Sequence, residues 1–160
     1  MIFVTVGSQK FQFNRLLKKI DELIEEDKIK NDVIAQTGVS TYPIKHYASF
    51  DFLSSEQFEK YMKKADLIIT HGGTGTIVMA SKMGKKIIGV PRLVKYGEHV
   101  DDHQMQILQE FKKANLIEVA YTTEELEEAL RRVQITKYNI YHSNPDRLLK
   151  DIEKFIEENT

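Results

Sequence analysis

A cluster of glycines and hydroxyl side chains in the middle of the chain has the composition of an anion-binding loop. Its sequence is His71-Gly72-Gly73-Thr74-Gly75-Thr76, and it follows the apolar run Leu67–Thr70. Glycines let the backbone approach a ligand closely, and the N–H groups at a helix start favour negative charge. The hydroxyls of Thr74 and Thr76 are further donors. This pattern predicts a bound phosphate or pyrophosphate.

A simpler interpretation leaves the loop without a ligand. Its three glycines would then only turn the chain from a strand into a helix, with Thr74 as the N-cap residue. The loop is not a Walker motif, because no Gly-Lys-Ser/Thr follows the spacer. Nor is it the dinucleotide fingerprint, which follows the first strand; here Gly7-Ser8 stands there. Spacing alone leaves both interpretations open.

A second polar segment, Pro91–Gln104, concentrates charged and imidazole side chains before another predicted helix. Its candidates are Arg92, Lys95, Glu98, His99, Asp101, Asp102, His103 and Gln104. The segment could contact a ligand, or its aspartates could only cap the helix. In a third interpretation His99 and His103 hold a metal together with Asp102, which requires His99 to lie within the helix.

The scaffold of these loops is predicted by short apolar runs that alternate with amphipathic segments. The predicted strands are Ile2–Val6, Asp32–Gln36, His46–Phe52, Leu67–Thr70, Lys86–Val90 and Leu116–Ala120. The predicted helices cover residues 13–24, 54–65, 76–83, 100–114, 122–133 and 145–158. The alternation indicates an α/β domain, Rossmann-like and doubly wound, with a parallel sheet of about six strands. In such a domain ligands bind at the carboxyl ends of the strands.

Length and composition favour one domain over residues 1–160. Hydrophobic residues make up 41% and charged residues 29%, and the formal net charge is -1. Without a basic face, nucleic acid is not expected as a partner. The chain has no cysteine, no signal-peptide pattern and no apolar stretch of bilayer length, so we expect a cytoplasmic protein. A Ser-His-Asp nucleophile is not supported, since Ser8 is not in a nucleophile elbow.

Five segments resemble the C-terminal domain of the family 28 glycosyltransferases. They are FVTVGSQKFQFNRLL, IAQTG, ADLIITHGGTGTI, GKKIIGVPR and GEHVDDHQ. The resemblance covers nearly the whole chain. It is greatest to short stand-alone members, such as subunits of bacterial exopolysaccharide transferases and of the two-part dolichol-linked N-acetylglucosaminyltransferase. It implies the UDP-sugar-binding half of a GT-B glycosyltransferase.

The resemblance also implies a set of substrate-binding residues: Gly7, Ser8, His71, Gly72, Gly73, Thr74, Gly75, Thr76, Arg92, Glu98, His99, Asp102, His103 and Gln104. The glycine loop would hold the diphosphate, with Arg92 or Lys95 neutralising it. His103 and Gln104 would lie near the donor sugar or the ribose. No metal or other cofactor is then expected. Related enzymes commonly hold the ribose with a glutamate whose place is taken here by Met79, so uridine would be bound by backbone groups around Gln36–Gly38 or beyond Pro91.

The implied activity is transfer of a hexose or N-acetylhexosamine from a UDP-sugar to a lipid-linked acceptor, in exopolysaccharide, capsule or glycolipid synthesis. The general base is expected on the acceptor half, which this chain lacks. We therefore expect a membrane-anchored partner subunit at the cytoplasmic face. The predicted helix over 145–158 would contact that partner or pack on the sheet. A non-catalytic helper subunit and an unrelated nucleotide-binding module remain alternatives.

Overall fold

The computed structural model describes residues 1–141, in which strands and helices alternate. The strands are β1 Ile2–Thr5, β2 Val33–Gln36, β3 Ala48–Phe50, β4 Leu67–Thr70, β5 Lys86–Gly89 and β6 Glu118–Val119. The helices are α1 Asn14–Glu25, α2 Ser55–Lys64, α3 Thr74–Lys82, α4 His103–Lys113 and α5 Leu126–Ile135. Short 3-10 turns cover Val94–Tyr96 and Thr123–Glu125. The helix predicted over 145–158 lies outside the described residues.

All strand pairs are parallel, and the sheet has the order β3-β2-β1-β4-β5-β6. This is the strand order of a Rossmann fold, so the predicted doubly wound sheet is confirmed. The order reverses between β1 and β4, where Thr5 pairs with Thr70. Ligands of open α/β sheets bind outside the carboxyl ends of the strands at such a switch point. The loops that follow β1 and β4 meet there.

Apolar side chains cover both faces of the sheet. Along β1, Ile2 and Val4 belong to a cluster with residues of α1 and α5, whereas Phe3 belongs to a cluster with residues of α2, α3 and α4. Successive side chains of a strand point to opposite faces, so each strand contributes to both layers. The sheet is thereby held rigid beneath its loops. None of the helices within residues 1–141 has the length and apolarity needed to cross a bilayer.

Two helices that border the loops begin at other residues than predicted. Helix α3 begins at Thr74, two residues earlier than expected, and its N-cap is Gly73 rather than Thr74. The carbonyl of Gly73 accepts a hydrogen bond from the N–H of Ile77 at 3.3 Å, which closes the first turn. Helix α4 begins only at His103, because side-chain contacts hold the preceding residues in turns.

Candidate functional site

The carboxyl edge of the sheet brings together the loops after β1, β2, β4 and β5. Gly7, after β1, has a left-handed backbone with φ +77°, which few other residues adopt. A Cβ atom on Gly38, after β2, would lie 3.0 Å from the carbonyl oxygen of Gly7. These loops therefore touch one another through backbone, and the predicted convergence of the polar segments is observed.

The imidazole of His71 lies buried between two of the glycines. A Cβ on Gly7 would come within 2.4 Å of its Nε2 atom, and a Cβ on Gly73 within 2.4 Å of its Cε1 atom. Neither position accepts a larger residue unless His71 moves. The lack of side chains at Gly7 and Gly73 therefore makes room for the imidazole of His71. The sequence pattern did not indicate this packing role.

Gln104 joins the loop after β4 to the loop after β5. Its Oε1 atom accepts hydrogen bonds from the backbone N–H groups of Gly72 and Arg92, both at 3.1 Å. Its Nε2 atom lies 3.2 Å from Nδ1 of His71. A Cβ on Gly72 would lie 2.6 Å from the Cβ of Gln104, so this glycine too is required by packing. Gln104 is buried, and its amide is used within the protein.

His71 is held neutral by its surroundings. Burial is the largest cause that lowers its pKa, to about 3, and the positive charge of Arg92 lowers it further. The hydrogen bond to Gln104 acts in the opposite direction, and His99 adds a small lowering contribution. At physiological pH the ring is therefore an uncharged donor and acceptor.

Arg92 is buried and its guanidinium is directed at backbone carbonyls. Its Nη1 donates to the carbonyls of Phe11 and Gln12 at 3.0 and 3.1 Å and to that of Glu98 at 3.2 Å, while Nη2 donates to the carbonyl of Val6. Burial lowers the pKa of Arg92 to about 10, so it remains a cation. The predicted direct contact with a diphosphate does not fit this geometry, because the side chain holds the loops after β1 and β5 together.

The carboxylate of Glu98, like the guanidinium of Arg92, binds other groups of the protein. Its carboxylate accepts two hydrogen bonds from Arg15, from Nε at 3.1 Å and from Nη2 at 3.0 Å, and a third from the N–H of Leu93 at 3.0 Å. Arg15 also donates to the carbonyl of Pro91 at 3.1 Å. Sequence reasoning missed Arg15, since nothing in the helical pattern of α1 marks the residue that reaches the loop after β5.

The remaining candidates of the second segment form a turn before α4. Asp101 lies between two imidazoles, 3.3 Å from Nδ1 of His99 and 3.0 Å from Nδ1 of His103. The hydrogen bond from the backbone N–H of His103 is the largest cause that lowers the pKa of Asp101, and electrostatic interaction with the two imidazoles lowers it further. Asp102 instead accepts the N–H of Val94 at 2.8 Å.

The metal interpretation required His99 and His103 to share one helix face. His99 precedes α4, which starts at His103, so that arrangement is not formed. Among residues 1–141, no group of three or more histidine or carboxylate side chains is arranged to hold a metal ion.

The start of α3 is the open part of the site. Within residues 1–141 the backbone N–H groups of Thr74, Gly75 and Thr76 have no hydrogen-bond acceptor. Gly75 is exposed, and a Cβ there would meet nothing within 4 Å, so the fold itself does not require this glycine. A bound anion is favoured here by three features together. They are the unpaired N–H groups, the positive end of the helix dipole and the lack of a side chain on Gly75.

Other polar groups lie in the loops at this edge of the sheet or at the end of a strand there. Ser8 is exposed in the loop after β1, as is Lys10, a cation that the sequence analysis did not single out. Lys95 is exposed in the loop after β5. The hydroxyl of Thr70, at the end of β4, is buried without a hydrogen-bond partner in the described part of the chain. Unlike the guanidinium of Arg92, these ammonium groups are not bound to backbone carbonyls within residues 1–141: that of Lys10 lies over the ring of Phe11 at 5.6 Å, and that of Lys95 over the ring of Tyr96 at 5.0 Å.

Two further side chains lie near these loops. Phe52, two residues after the end of β3, is 54% exposed. Its ring atom Cε1 lies 4.0 Å from the Cβ position of Gly38, which in turn touches Gly7. Met79, on the second turn of α3, is 38% exposed and carries a thioether at the position where the resemblance implies a ribose-binding glutamate in related enzymes. An exposed aromatic ring at this edge was missed by sequence reasoning, although alternation in the predicted strand 46–52 placed Phe50 and Phe52 on one side.

Fold and site together define an α/β domain with unpaired backbone N–H groups at its topological switch point, the class to which nucleotide-binding domains belong. The chain belongs to the glycosyltransferase family 28 C-terminal domain, whose family model matches residues 1–158. The resemblance noted in the sequence is thus confirmed.

Two relatives are similar in sequence over most of the chain. The UDP-N-acetylglucosamine transferase subunit ALG13 of Candida albicans is 30% identical over 122 residues, which cover 72% of this chain and 40% of that protein. The same subunit of Kluyveromyces lactis is 32% identical over 133 residues, 79% of this chain and 61% of that protein. The chain therefore spans less than two thirds of the length of either relative.

Solved structures share the fold. An NMR solution structure of ALG13 superposes with a TM-score of 0.60 at 22% identity, covering 96% of this chain and 92% of that one. The crystal structure of Acinetobacter baumannii MurG gives a TM-score of 0.61 at 17% identity, covering 99% of this chain and 45% of that one. The predicted equivalence to one half of a GT-B glycosyltransferase is confirmed at the level of the fold.

Proposed function

We propose that this chain is the catalytic, donor-binding subunit of a two-part glycosyltransferase, with UDP-N-acetylglucosamine as its donor. The observation that carries the proposal is the open start of α3, where three N–H groups lack acceptors beside Gly75 in a chain of this family. The names of the two sequence relatives favour N-acetylglucosamine among the sugars that the sequence left open.

In the proposed reaction an acceptor hydroxyl oxygen bonds to the anomeric carbon as the bond from that carbon to the phosphate oxygen breaks. Negative charge then develops on the departing UDP. The unpaired N–H groups of Thr74, Gly75 and Thr76 stabilise this charge together with the helix dipole. Lys10 and Lys95 are exposed cations at the same edge and add to the stabilisation. No metal is needed in this proposal.

The nucleoside is proposed to lie on Phe52. Its exposed ring offers a flat apolar face near Gly38, at the side of the opening that lies toward β2 and β3. Stacking of a base on an aromatic ring contributes about 1–3 kcal/mol. Backbone groups of Gln36–Gly38 would then contact the uracil edge, as one of the sequence-based alternatives had it.

A second subunit is proposed to cover the carboxyl edge of the sheet. Exposed apolar side chains concentrate toward that edge, at the end of β3, on α3 and in the loops after β2, β3 and β5: Val39, Phe50, Phe52, Met79, Val94, Tyr96 and Val100. Such a concentration is typical of a surface that meets another protein. We propose that this subunit is anchored in the membrane, supplies the general base and presents a lipid-linked saccharide at the cytoplasmic face.

The identity of the donor does not specify the biosynthetic pathway in which the sugar is used. The sequence resemblance predicted exopolysaccharide, capsule or glycolipid synthesis, and the comparisons do not support the exopolysaccharide context. The names of the relatives specify a transferase subunit and a UDP-sugar and no acceptor. The acceptor therefore stays a prediction from the sequence.

Calorimetric titration of the chain with UDP-N-acetylglucosamine, UDP-glucose, UDP-galactose, UDP and ADP tests the donor. We expect binding of the uridine nucleotides, with UDP-N-acetylglucosamine the tightest sugar nucleotide and ADP at least about tenfold weaker than UDP, a difference of 1.4 kcal/mol. Absence of UDP binding, with or without the co-expressed membrane subunit, contradicts the proposal.

Sugar-transfer assays test whether the reaction requires both subunits. The chain with its membrane subunit should transfer sugar to a lipid-linked acceptor, and the chain alone should not. Full activity of the chain alone would show that the base is not on a partner. The non-catalytic helper alternative predicts that Gly73→Val abolishes UDP binding to this chain and leaves the activity of the complex intact.

A further inference from the structure

We propose that Gln104 is a positioning residue that holds His71 in the tautomer protonated at Nε2, so that the ring presents one N–H donor to the anion site. The proposal rests on the proposed function, because the group that accepts this hydrogen bond would be a phosphate oxygen of the donor nucleotide. It assigns Gln104 a role different from the direct sugar or ribose contact that the sequence predicted.

The orientation of the Gln104 amide is fixed by its partners. Two backbone N–H groups, those of Gly72 and Arg92, point at one end of the amide from 3.1 Å each. An N–H group can only donate, so that end must be the carbonyl oxygen. The other end, which lies 3.2 Å from Nδ1 of His71, is then the NH₂ group.

The amide orientation dictates the tautomer of His71. An NH₂ group donates and does not accept, so Nδ1 of the ring must be the acceptor. A neutral imidazole carries one proton, which is then on Nε2. The ring stays neutral because it is buried close to the cation Arg92, and His99 is the other titratable group that acts on it. Without Gln104 either nitrogen would be free to carry the proton.

The Nε2–H group lies at the opening between the loops after β1 and β4. Nε2 is 2.4 Å from the Cβ position of Gly7 and 2.7 Å from that of Gly73, and neither glycine covers it with a side chain. Within residues 1–141 Nε2 has no hydrogen-bond partner. The fully buried side-chain atoms that lack a partner in this part of the chain are Thr70 Oγ1 and Arg92 Nε. Nε2 is therefore accessible from the site, next to the N–H groups of α3.

The tautomer is tested by NMR of the protein labelled with ¹⁵N-histidine. Long-range ¹H–¹⁵N spectra distinguish a protonated from an unprotonated ring nitrogen, and the His71 signals are those missing in His71→Asn. We expect Nε2 protonated and Nδ1 unprotonated, and a shift of Nε2 when UDP is added. A proton on Nδ1 in the free protein would overturn the inference even if UDP binds. Failure of UDP to bind would instead count against the proposed function.

Gln104→Glu tests the positioning role by function. A carboxylate still accepts from Gly72 and Arg92, but it cannot donate to Nδ1. His71 must then protonate Nδ1, and it keeps a proton on Nε2 only while the ring is a cation. We expect UDP affinity relative to the unchanged protein to fall by about tenfold (1.4 kcal/mol) as the pH rises through the new pKa of the ring.

Gln106→Glu is the matched control, because Gln106 lies on the same helix and is exposed. It adds the same charge and should leave both UDP affinity and its pH dependence unchanged. A purely structural role for Gln104 predicts a loss of affinity in Gln104→Glu that does not vary with pH, and that result would overturn the inference. If Gln104→Glu does not fold, the NMR measurement on the unchanged protein decides.

Discussion

Cε1 of His71 lies 2.4 Å from the position that a Cβ atom would take on Gly73, closer than real Cβ atoms come to any neighbour. Two residues further on, a Cβ on Gly75 would meet nothing within 4 Å. One loop therefore contains glycines of two kinds. Gly73 is required because a side chain there would collide with His71. At Gly75 a side chain would collide with nothing, and its absence leaves the backbone exposed toward the site.

Alanine at the two positions should separate these roles. Gly73→Ala forces His71 to move, and we expect the free energy of unfolding to fall by about 1–3 kcal/mol, with weaker UDP binding. Gly75→Ala should leave stability unchanged or raise it by up to about 1 kcal/mol, because alanine favours a helix. Its methyl group should nevertheless weaken UDP binding by about tenfold (1.4 kcal/mol). Chemical denaturation and calorimetry measure both quantities, and unchanged UDP affinity in Gly75→Ala would contradict the proposed phosphate position.

Arg92 should contribute strongly to the stability of the fold, because its guanidinium donates to backbone carbonyls of the protein. In Arg92→Met the carbonyls of Phe11, Gln12 and Glu98 lose their buried donor. We expect a loss of about 3–5 kcal/mol in the free energy of unfolding, as for other broken buried charge networks. Lys95→Met is the control, since Lys95 is exposed in the same loop and should change stability by less than about 0.5 kcal/mol. Thermal unfolding of both variants measures the difference; equal stability would show that the buried guanidinium is dispensable.

Acid should destabilise the protein through His71. Its pKa is about 3 in the folded chain, below the ordinary histidine value of 6.5, so the unfolded chain binds a proton that the folded chain excludes. Stability from this group is fully present above pH about 6.5 and is lost as the pH falls toward about 3, by up to about 1.4 kcal/mol per pH unit.

The contribution is isolated by comparison with His71→Asn. Between about pH 6.5 and about pH 5 the unchanged protein should lose about 2 kcal/mol more stability than the variant. Denaturant titrations at the two pH values provide the measurement, with His46→Asn as a control at an exposed histidine. A variant with the same pH dependence as the unchanged protein would mean that His71 is not held neutral.

Phe52 should determine affinity for the base and not for the phosphates. Phe52→Ala is expected to weaken UDP binding by about 1–3 kcal/mol, the usual contribution of base stacking. Inorganic pyrophosphate, which has no base, should bind the variant and the unchanged protein equally. Ile135→Ala serves as the control for loss of an exposed apolar side chain, since Ile135 is exposed at the end of α5. Equal losses for UDP and pyrophosphate would place the base elsewhere.

The sequence predicted the scaffold well, because its signals are local. The strand Leu67–Thr70 was located to the residue. Ser54, the first residue of the helix predicted over 54–65, is the N-cap of α2 and accepts a hydrogen bond from the N–H of Gln57 at 3.2 Å. Apolar periodicity and capping residues depend on neighbours a few positions apart, which a single sequence displays.

The roles of polar residues at the site were harder to predict, because their partners are distant in sequence. Arg92 binds carbonyls of Phe11 and Gln12, some 80 positions away. An arginine beside an anion loop is ordinarily interpreted as a ligand contact, since arginine is seldom buried. Gln104 is a similar case, with its amide fixed by Gly72, 32 positions earlier. Only the assembled sheet reveals that these side chains hydrogen-bond to distant parts of the protein.

The sheet order also determines when the site can form while the chain is being synthesised. β1 is paired on one side with β2, but its other edge belongs to β4, which begins at Leu67. Until that strand has left the ribosome, an apolar strand edge stays open and the loop at Gly7 has no His71 to enclose. An edge of this kind invites association with other chains. A nascent chain that ends before β4 therefore lacks the start of α3, where the nucleotide is proposed to bind, and its exposed edge needs protection until the second half of the chain is synthesised.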